Sequence, residues 1–273
     1  MAKPTNNFKK LAGVPVHYDR LSPPNDYGTR GKVTNFHVTK EFQKNLSECF
    51  KELWEICPFG PADVITSAGA YTAKPGFHGM GKAFDLDGIF WENKTFITLR
   101  YPSDPKFYLG INSVLRKHFG TVLDYHYNSS HRDHFHIQDD GKVVGFRKIR
   151  SIIVFLQAVI SEVFNDIVEI DGRYGPKTDA ALGRVLEKLN IDGDLSEKEN
   201  WLIFLTKISE KAFGTSGRVV SEEASTPLEL LDELYRIINE ELVDFESRKV
   251  IETTLDQFAA HEETENWLNK FRE

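Results

Sequence analysis

Between Glu41 and Cys57, apolar residues recur at Phe42, Leu46, Cys49, Phe50, Leu53 and Ile56. Steps of three and four predict an amphipathic helix with one face on a core. Pro58-Phe-Gly-Pro61 ends it. Ala62–Ser67 predicts a short strand leading into a Gly69-Ala-Tyr71 turn. From Ala83 to Trp91 the pattern alternates, so a strand there puts Asp85 and Asp87 on one face and Phe84 and Leu86 on the other. A helix over 105–119 closes at Gly120, and strands follow over 121–125 and 134–137. Residues 1–39, punctuated by Pro15, Pro23-Pro24 and Gly28, predict irregular structure.

The pattern turns wholly helical after a boundary near 142–150. Helices are predicted over 151–164, over 176–189 with Pro176 at the favoured first position, and over 196–212. Residues 215–227 read as a linker. The remainder reads as helix, with apolar positions at Leu231, Leu234, Ile238, Leu242 and Phe245. The expected fold is therefore α+β: a small antiparallel sheet with flanking helices, then an all-α C-terminal part. Its divisions are 1–146, 147–214 and 215–273.

Composition changes this picture little. With 40% hydrophobic and 27% charged residues, the 273-residue chain fits a globular protein and not a disordered one. No apolar run approaches the ~18 residues of a membrane span. The polar N-terminus lacks the apolar core of a secretory signal. Residues 221–273 hold 15 acidic and 5 basic side chains, a net of −10 within a total of −7, so the rest carries +3. Neither part shows the dense basic face of a nucleic-acid binder. Cys49 and Cys57 fall two helical turns apart, roughly 12 Å, too far for a mutual disulfide. They read as buried thiols, and a structural zinc site would need more cysteines.

The candidate chemistry is concentrated elsewhere. Six of the nine histidines lie between His78 and His136, and His131-Arg-Asp-His-Phe-His136 packs three of them with Asp133 into one short run. At the other end stands His78-Gly-Met-Gly-Lys-Ala-Phe-Asp85. Catalytic zinc takes three nitrogen or oxygen ligands and leaves a fourth position to water. His78, Asp85 and one histidine of the later run make such a set. Gly79, Gly81 and Ala83 let the chain turn back between the first two. On a strand, His134 and His136 face the same side, so one can bind metal beside the other.

The pattern His-Xaa-Xaa-Gly-Xaa-Ala-Xaa-Asp at His78, Gly81, Ala83 and Asp85, followed by His134-Phe-His136, resembles the zinc D-Ala-D-Ala peptidase superfamily. The run 131–136 is most similar to murein endopeptidases, and the Gly69-Ala-Tyr71 lead-in to the extensin-like bacterial branch. The resemblance covers about residues 60–140. It implies His78, Asp85 and His136 as Zn2+ ligands, with Asp133 as the general base that activates water and later protonates the leaving amine. On a regular strand Asp133 would point away from His136, so the role requires a strand that begins after it. His131 is the alternative base, and His134 or His131 an oxyanion donor. The family's serine two residues before the first histidine and its upstream arginine are replaced by Gly76 and Lys74. Tyr71 and Lys74 are the candidate substrate contacts.

Phe155-Leu-Gln157, Asp171-Gly-Arg-Tyr-Gly-Pro-Lys-Thr178 and Ala180-Ala-Leu182 resemble a three-helix peptidoglycan-binding module over about 150–210. Asp171 and Gly172 are expected to shape its turn. Together the two resemblances imply a zinc metallopeptidase cutting a stem peptide or cross-link of peptidoglycan, tethered to its polymer. The site of action would be the cell envelope or outside the cell, reached by another route than a signal peptide, as for a delivered toxin or lysin. A wall-binding protein that kept the fold without catalysis is the alternative.

Overall fold

The computed structural model describes residues 3–18, 32–141 and 144–216. The chain divides into two compact units, Met1–Gly217 and Arg218–Glu273. The expected linker beyond Ser216 and the acidic helices fall outside the described residues.

Helix α1 (Lys40–Ile56) forms as the periodicity predicts. Thr39 caps it by accepting from the Phe42 amide, and Phe42, Leu46, Cys49, Phe50, Leu53 and Trp54 are buried. Helix α2 (Pro105–His118) starts at the Asp104 cap with proline in its first turn. Both cysteines are buried free thiols. The fold class is the expected one, α+β.

Strands β1 (Asn7–Phe8), β2 (Lys10–Leu11), β3 (Val14–Tyr18), β4 (Lys32–Val33) and β5 (Phe36–His37) occupy the stretch for which irregular structure was predicted. The correction has a local cause. Ala12 and Gly13, with φ of 45° and 87°, make the two-residue turn between β2 and β3. Two successive positive φ values suit the right-handed twist of a hairpin, but Ala-Gly is a weak sequence signal for it. Pro15, a residue that usually interrupts strands, sits inside β3 opposite Lys10.

The main sheet runs β2-β3-β6-β7-β10-β9, with β4 beside β3 and β8 beside β7. Its other members are β6 (Val64–Gly69), β7 (Ala83–Phe90), β8 (Thr95–Ile97), β9 (Thr121–Leu123) and β10 (Phe135–Gln138). The β3–β6 pair is parallel and the other pairs are antiparallel, so the sheet is larger and more mixed than predicted.

The helical part comprises α3 (Arg150–Ala158) continued by a π-helical turn (Val159–Val163), α4 (Pro176–Lys188) and α5 (Lys198–Ser216). Helix α5 lies along α2. Gly110 permits the approach, because a Cβ there would come within 2.7 Å of the Phe213 ring. Arg116 of α2, almost fully buried, bonds Asp124, the Val122 carbonyl and the Ser151 carbonyl at the start of α3. The sheet part and helices α3–α5 thus share one core within the first unit. No helix among the described residues is long and apolar enough to cross a membrane.

Candidate metal centre

Strand pairing assembles the site. β7 and β10 are antiparallel with His136 directly opposite Asp85, so register alone makes neighbours of residues 51 apart. A slip of one residue would turn one of them to the other face. On the far side of β7, β6 is bulged between Ser67 and Gly69 and ends against Asp85. The chain then loops through Tyr71 and Lys74 and returns at His78. Gly79 is forced by the loop: a Cβ there would lie 1.9 Å from the Lys74 carbonyl oxygen. Gly81, at φ +66°, takes a backbone conformation that side chains disfavour.

The three predicted ligands converge. His78 Nε2 lies 3.2 Å from His136 Nδ1 and 3.2 Å from Asp85 Oδ1, and His136 Nδ1 lies 3.0 Å from the same oxygen. The other nitrogen of each ring is held. His78 Nδ1 meets the Ala70 carbonyl, which can only accept, so Nδ1 carries the hydrogen. His136 Nε2 is 3.0 Å from Gln138 Oε1, and the Gln138 amide nitrogen in turn donates to Asp140 at 3.3 Å, which fixes the amide's sense. Each neutral ring therefore turns a lone pair toward the other and toward a carboxylate oxygen.

Three acceptors so close need a cation between them. Ligand atoms in tetrahedral zinc coordination stand ~3.3 Å apart, as follows from bonds of ~2.0–2.1 Å, and the triangle here has sides of 3.0–3.2 Å. Ring nitrogens backed by a carbonyl and an amide oxygen are the usual surroundings of metal-binding histidines. The residues fit a divalent metal. Without one, a proton fills the place. Burial works to lower the His78 pKa, but the Asp85 carboxylate and the Ala70 carbonyl outweigh it and hold it above the ordinary value. Burial works to raise Asp85, yet hydrogen bonds from His136 and His78 keep it well below the usual carboxylate range.

The rest of the histidine run lies alongside. β10 begins at Phe135, so Asp133 and His134 precede the strand, as a base role for Asp133 required. Asp133 Oδ1 accepts from His134 Nδ1 at 2.7 Å, while His134 Nε2 faces Asp85 Oδ1 at 3.7 Å. His131, at the end of a 3₁₀ turn (Ser129–His131), bonds Asn128 Oδ1 through Nδ1 at 2.7 Å. Burial, then the imidazoles of His134 and His136, push the His131 pKa down to about 4. Asp87 is fully buried and His126 packs edge-on to the Tyr101 ring; neither joins the converging groups. Tyr71 is half-buried and Lys74 exposed on the loop into His78.

The sequence did not single out Ala70, Gln138 or Asn128. Ala70 acts through its backbone, which has no residue-type signal. Gln138 was within reach, since it lies one strand period beyond His136 on the same face.

In the helical part, the Gln157 amide nitrogen donates to Asp171 Oδ1, the Arg173 carbonyl and Thr178 Oγ1, and its oxygen accepts from the Gly172 amide. Gly172 has φ +75°. The Leu-Gln and Asp-Gly-…-Thr residues clasp one another. Asp171 and Gly172 shape the turn.

No curated protein and no solved structure matches the chain. One family model does, over residues 36–147, a span that holds all the converging residues and ends just before α3. Over that span the chain is similar to the family described as extensin-like protein C-terminus, in keeping with the extensin-like branch.

Proposed function

We propose that this protein is a zinc-dependent peptidase that hydrolyses a peptide bond in the stem or cross-link of peptidoglycan, with the helical part holding it on the polymer. One observation carries the reading: His78, Asp85 and His136 aim three lone pairs at one point, with the reverse side of each ring capped. Zinc, when bound, supplies Lewis acidity to the scissile carbonyl and to attacking water.

The remaining chemistry falls to Asp133 and His134. His134 donates through Nδ1 to Asp133, which fixes the tautomer and leaves Nε2 with the lone pair on the side of the ligands. The pair can take a proton from water at Nε2 and return it to the leaving amine. Once protonated, Nε2 can donate to the developing oxyanion. His131 suits neither role. Burial pushes its pKa down, which weakens it as a base, and its one hydrogen is spent on Asn128. The three ligand side chains are 12–23% exposed, which leaves room for a substrate carbonyl to approach. Lys74, exposed on the adjoining loop, is the candidate contact for a substrate carboxylate.

The test is digestion of purified sacculi, with fragments read by mass spectrometry. Zinc-loaded protein should release muropeptides whose masses name the bond, and chelator should stop it. An Asp133→Asn variant that binds sacculi normally but releases nothing supports catalysis. Equal, zero release from wild type and variant, with binding intact, supports a non-catalytic wall binder.

A further inference from the structure

His131 has no part in the mechanism, yet its geometry is that of a ligand. One nitrogen of each of His131, His134 and His136 falls in a group whose atoms all lie within 4.8 Å of one another. The His131 and His134 ring centroids are 5.2 Å apart, and His131 is 5.8 Å from His136. Asn128 holds Nδ1 of His131 and Asp133 holds Nδ1 of His134, each at 2.7 Å, so both rings keep Nε2 free of hydrogen in their neutral forms. An oxygen acceptor behind each ring is the arrangement that orients and strengthens metal-binding imidazoles. It repeats what Ala70 and Gln138 do for His78 and His136.

We propose that the imidazoles of His131 and His134 hold a second divalent cation beside the first, and that it acts as a brake. This rests on the peptidase reading only for the brake. Asp133 behind His134 and Asp85 between the two positions supply negative charge against the repulsion of two cations. His136 belongs to both groups, but its Nδ1 is already turned to His78 and Asp85. The second position therefore has two ligands of its own where the first has three, and should bind on the order of 10²-fold more weakly. A cation there occupies His134 Nε2, the atom proposed to carry the proton. Filling it removes that ring from catalysis without disturbing the three ligands of the first ion.

The experiment is equilibrium dialysis of metal-stripped full-length protein against graded zinc, with bound metal measured by mass spectrometry. Wild type should take up two equivalents, the second about 100-fold weaker. His131→Gln should take up one, at unchanged affinity for the first. Asn128→Ala, which releases the His131 ring together with the Ser130 amide that the same oxygen caps, should weaken the second equivalent about 10-fold and serves should His131→Gln fold poorly. A single equivalent in wild type overturns the proposal and leaves the primary centre standing. A second equivalent that survives both substitutions also overturns it, as adventitious binding. No bound zinc at all sinks the primary centre and this proposal together. The brake is read from sacculus digestion in the same zinc series: release should rise with the first equivalent and fall with the second, and release that stays level refutes it.

Discussion

The two parts of the first unit carry polar clusters of similar size that end differently. In the helical part, Gln157 donates to Asp171, Arg173 and Thr178 and accepts from Gly172. Donors meet acceptors and the cluster is closed. Between β7 and β10, the atoms that meet are Nε2 of His78, Nδ1 of His136 and Oδ1 of Asp85. In the neutral rings acceptors meet acceptors, and a proton or an added cation closes the cluster. A closed network stabilises the fold and has nothing left over. An open one, partly buried and with each ring held from behind, could hold a metal ion.

The sharpest way to break this contrast is to remove one corner of the triangle. His136→Ala should lower zinc affinity on the order of 10²–10⁴-fold, about a third of the binding free energy of a well-formed site. Sacculus digestion should fall to the chelated level. Far-ultraviolet circular dichroism should be unchanged, because His136 is a part-exposed residue of β10 rather than a member of the core. Undiminished metal content in this variant would show that the acceptor triangle is not where zinc binds.

The reciprocal change is Gln157→Leu. It is nearly isosteric and strands the Gly172 amide and the buried Thr178 hydroxyl, while Asp171 keeps the Arg173 amide, costing roughly 2–4 kcal/mol. For a unit of this size the melting temperature should drop by roughly 5–15 °C. Zinc per folded chain should stay at the wild-type value. Loss of metal together with stability would mean that the helical clasp supports the centre, and the contrast would fail.

How much of this could be read from the chain follows from where each signal lives. His78, Gly81, Ala83, Asp85 and His136 are informative as residue types, and the strand periods that pair Asp85 with His136 show in the alternation of 83–91. Helices α1 to α5 were legible because their apolar steps are long and regular. What was hidden is carried by backbone. The Ala70 carbonyl that sets the His78 tautomer has no side-chain signature. The strands before Val38 are mostly two residues long, too short to show a period, and prolines and glycines mask them. The share of core between α2 and α5 rests on Gly110 meeting Phe213, a contact between residues 103 apart that neither local pattern implies.

A finer probe is Gln138→Leu, which removes the cap on His136 Nε2 but keeps all three ligands. Outer partners of this kind are worth about 10–100-fold in metal affinity. Zinc competition with a chromophoric chelator should show a loss in that range. No loss would mean that His136 holds its ring without help, and the capping argument for its tautomer would go with it.

The smallest effect comes from a histidine outside the centre, and it shows what a closed charge cluster does with pH. Glu52 of α1 accepts from His118 Nε2 at 2.5 Å and from Lys117, both on α2. The His118 bond, then Lys117, outweigh the opposing effect of burial and lower the Glu52 pKa to about 2. A folded-state pKa below the unfolded value means that the unfolded chain binds the proton first. The stabilisation is therefore complete above pH ~5 and lost as pH falls through 4 toward 2. With the side chain about a quarter exposed, solvent screening leaves about 1 kcal/mol of it. Urea unfolding of wild type and Glu52→Gln should differ by that amount at pH 6, and the gap should close by pH ~2–3. Zinc content at pH 7 should be the same in both, since every donor around Glu52 already has its acceptor. A gap that widens toward low pH would reverse the sign and show that the α1–α2 cluster is not held by the ionised carboxylate.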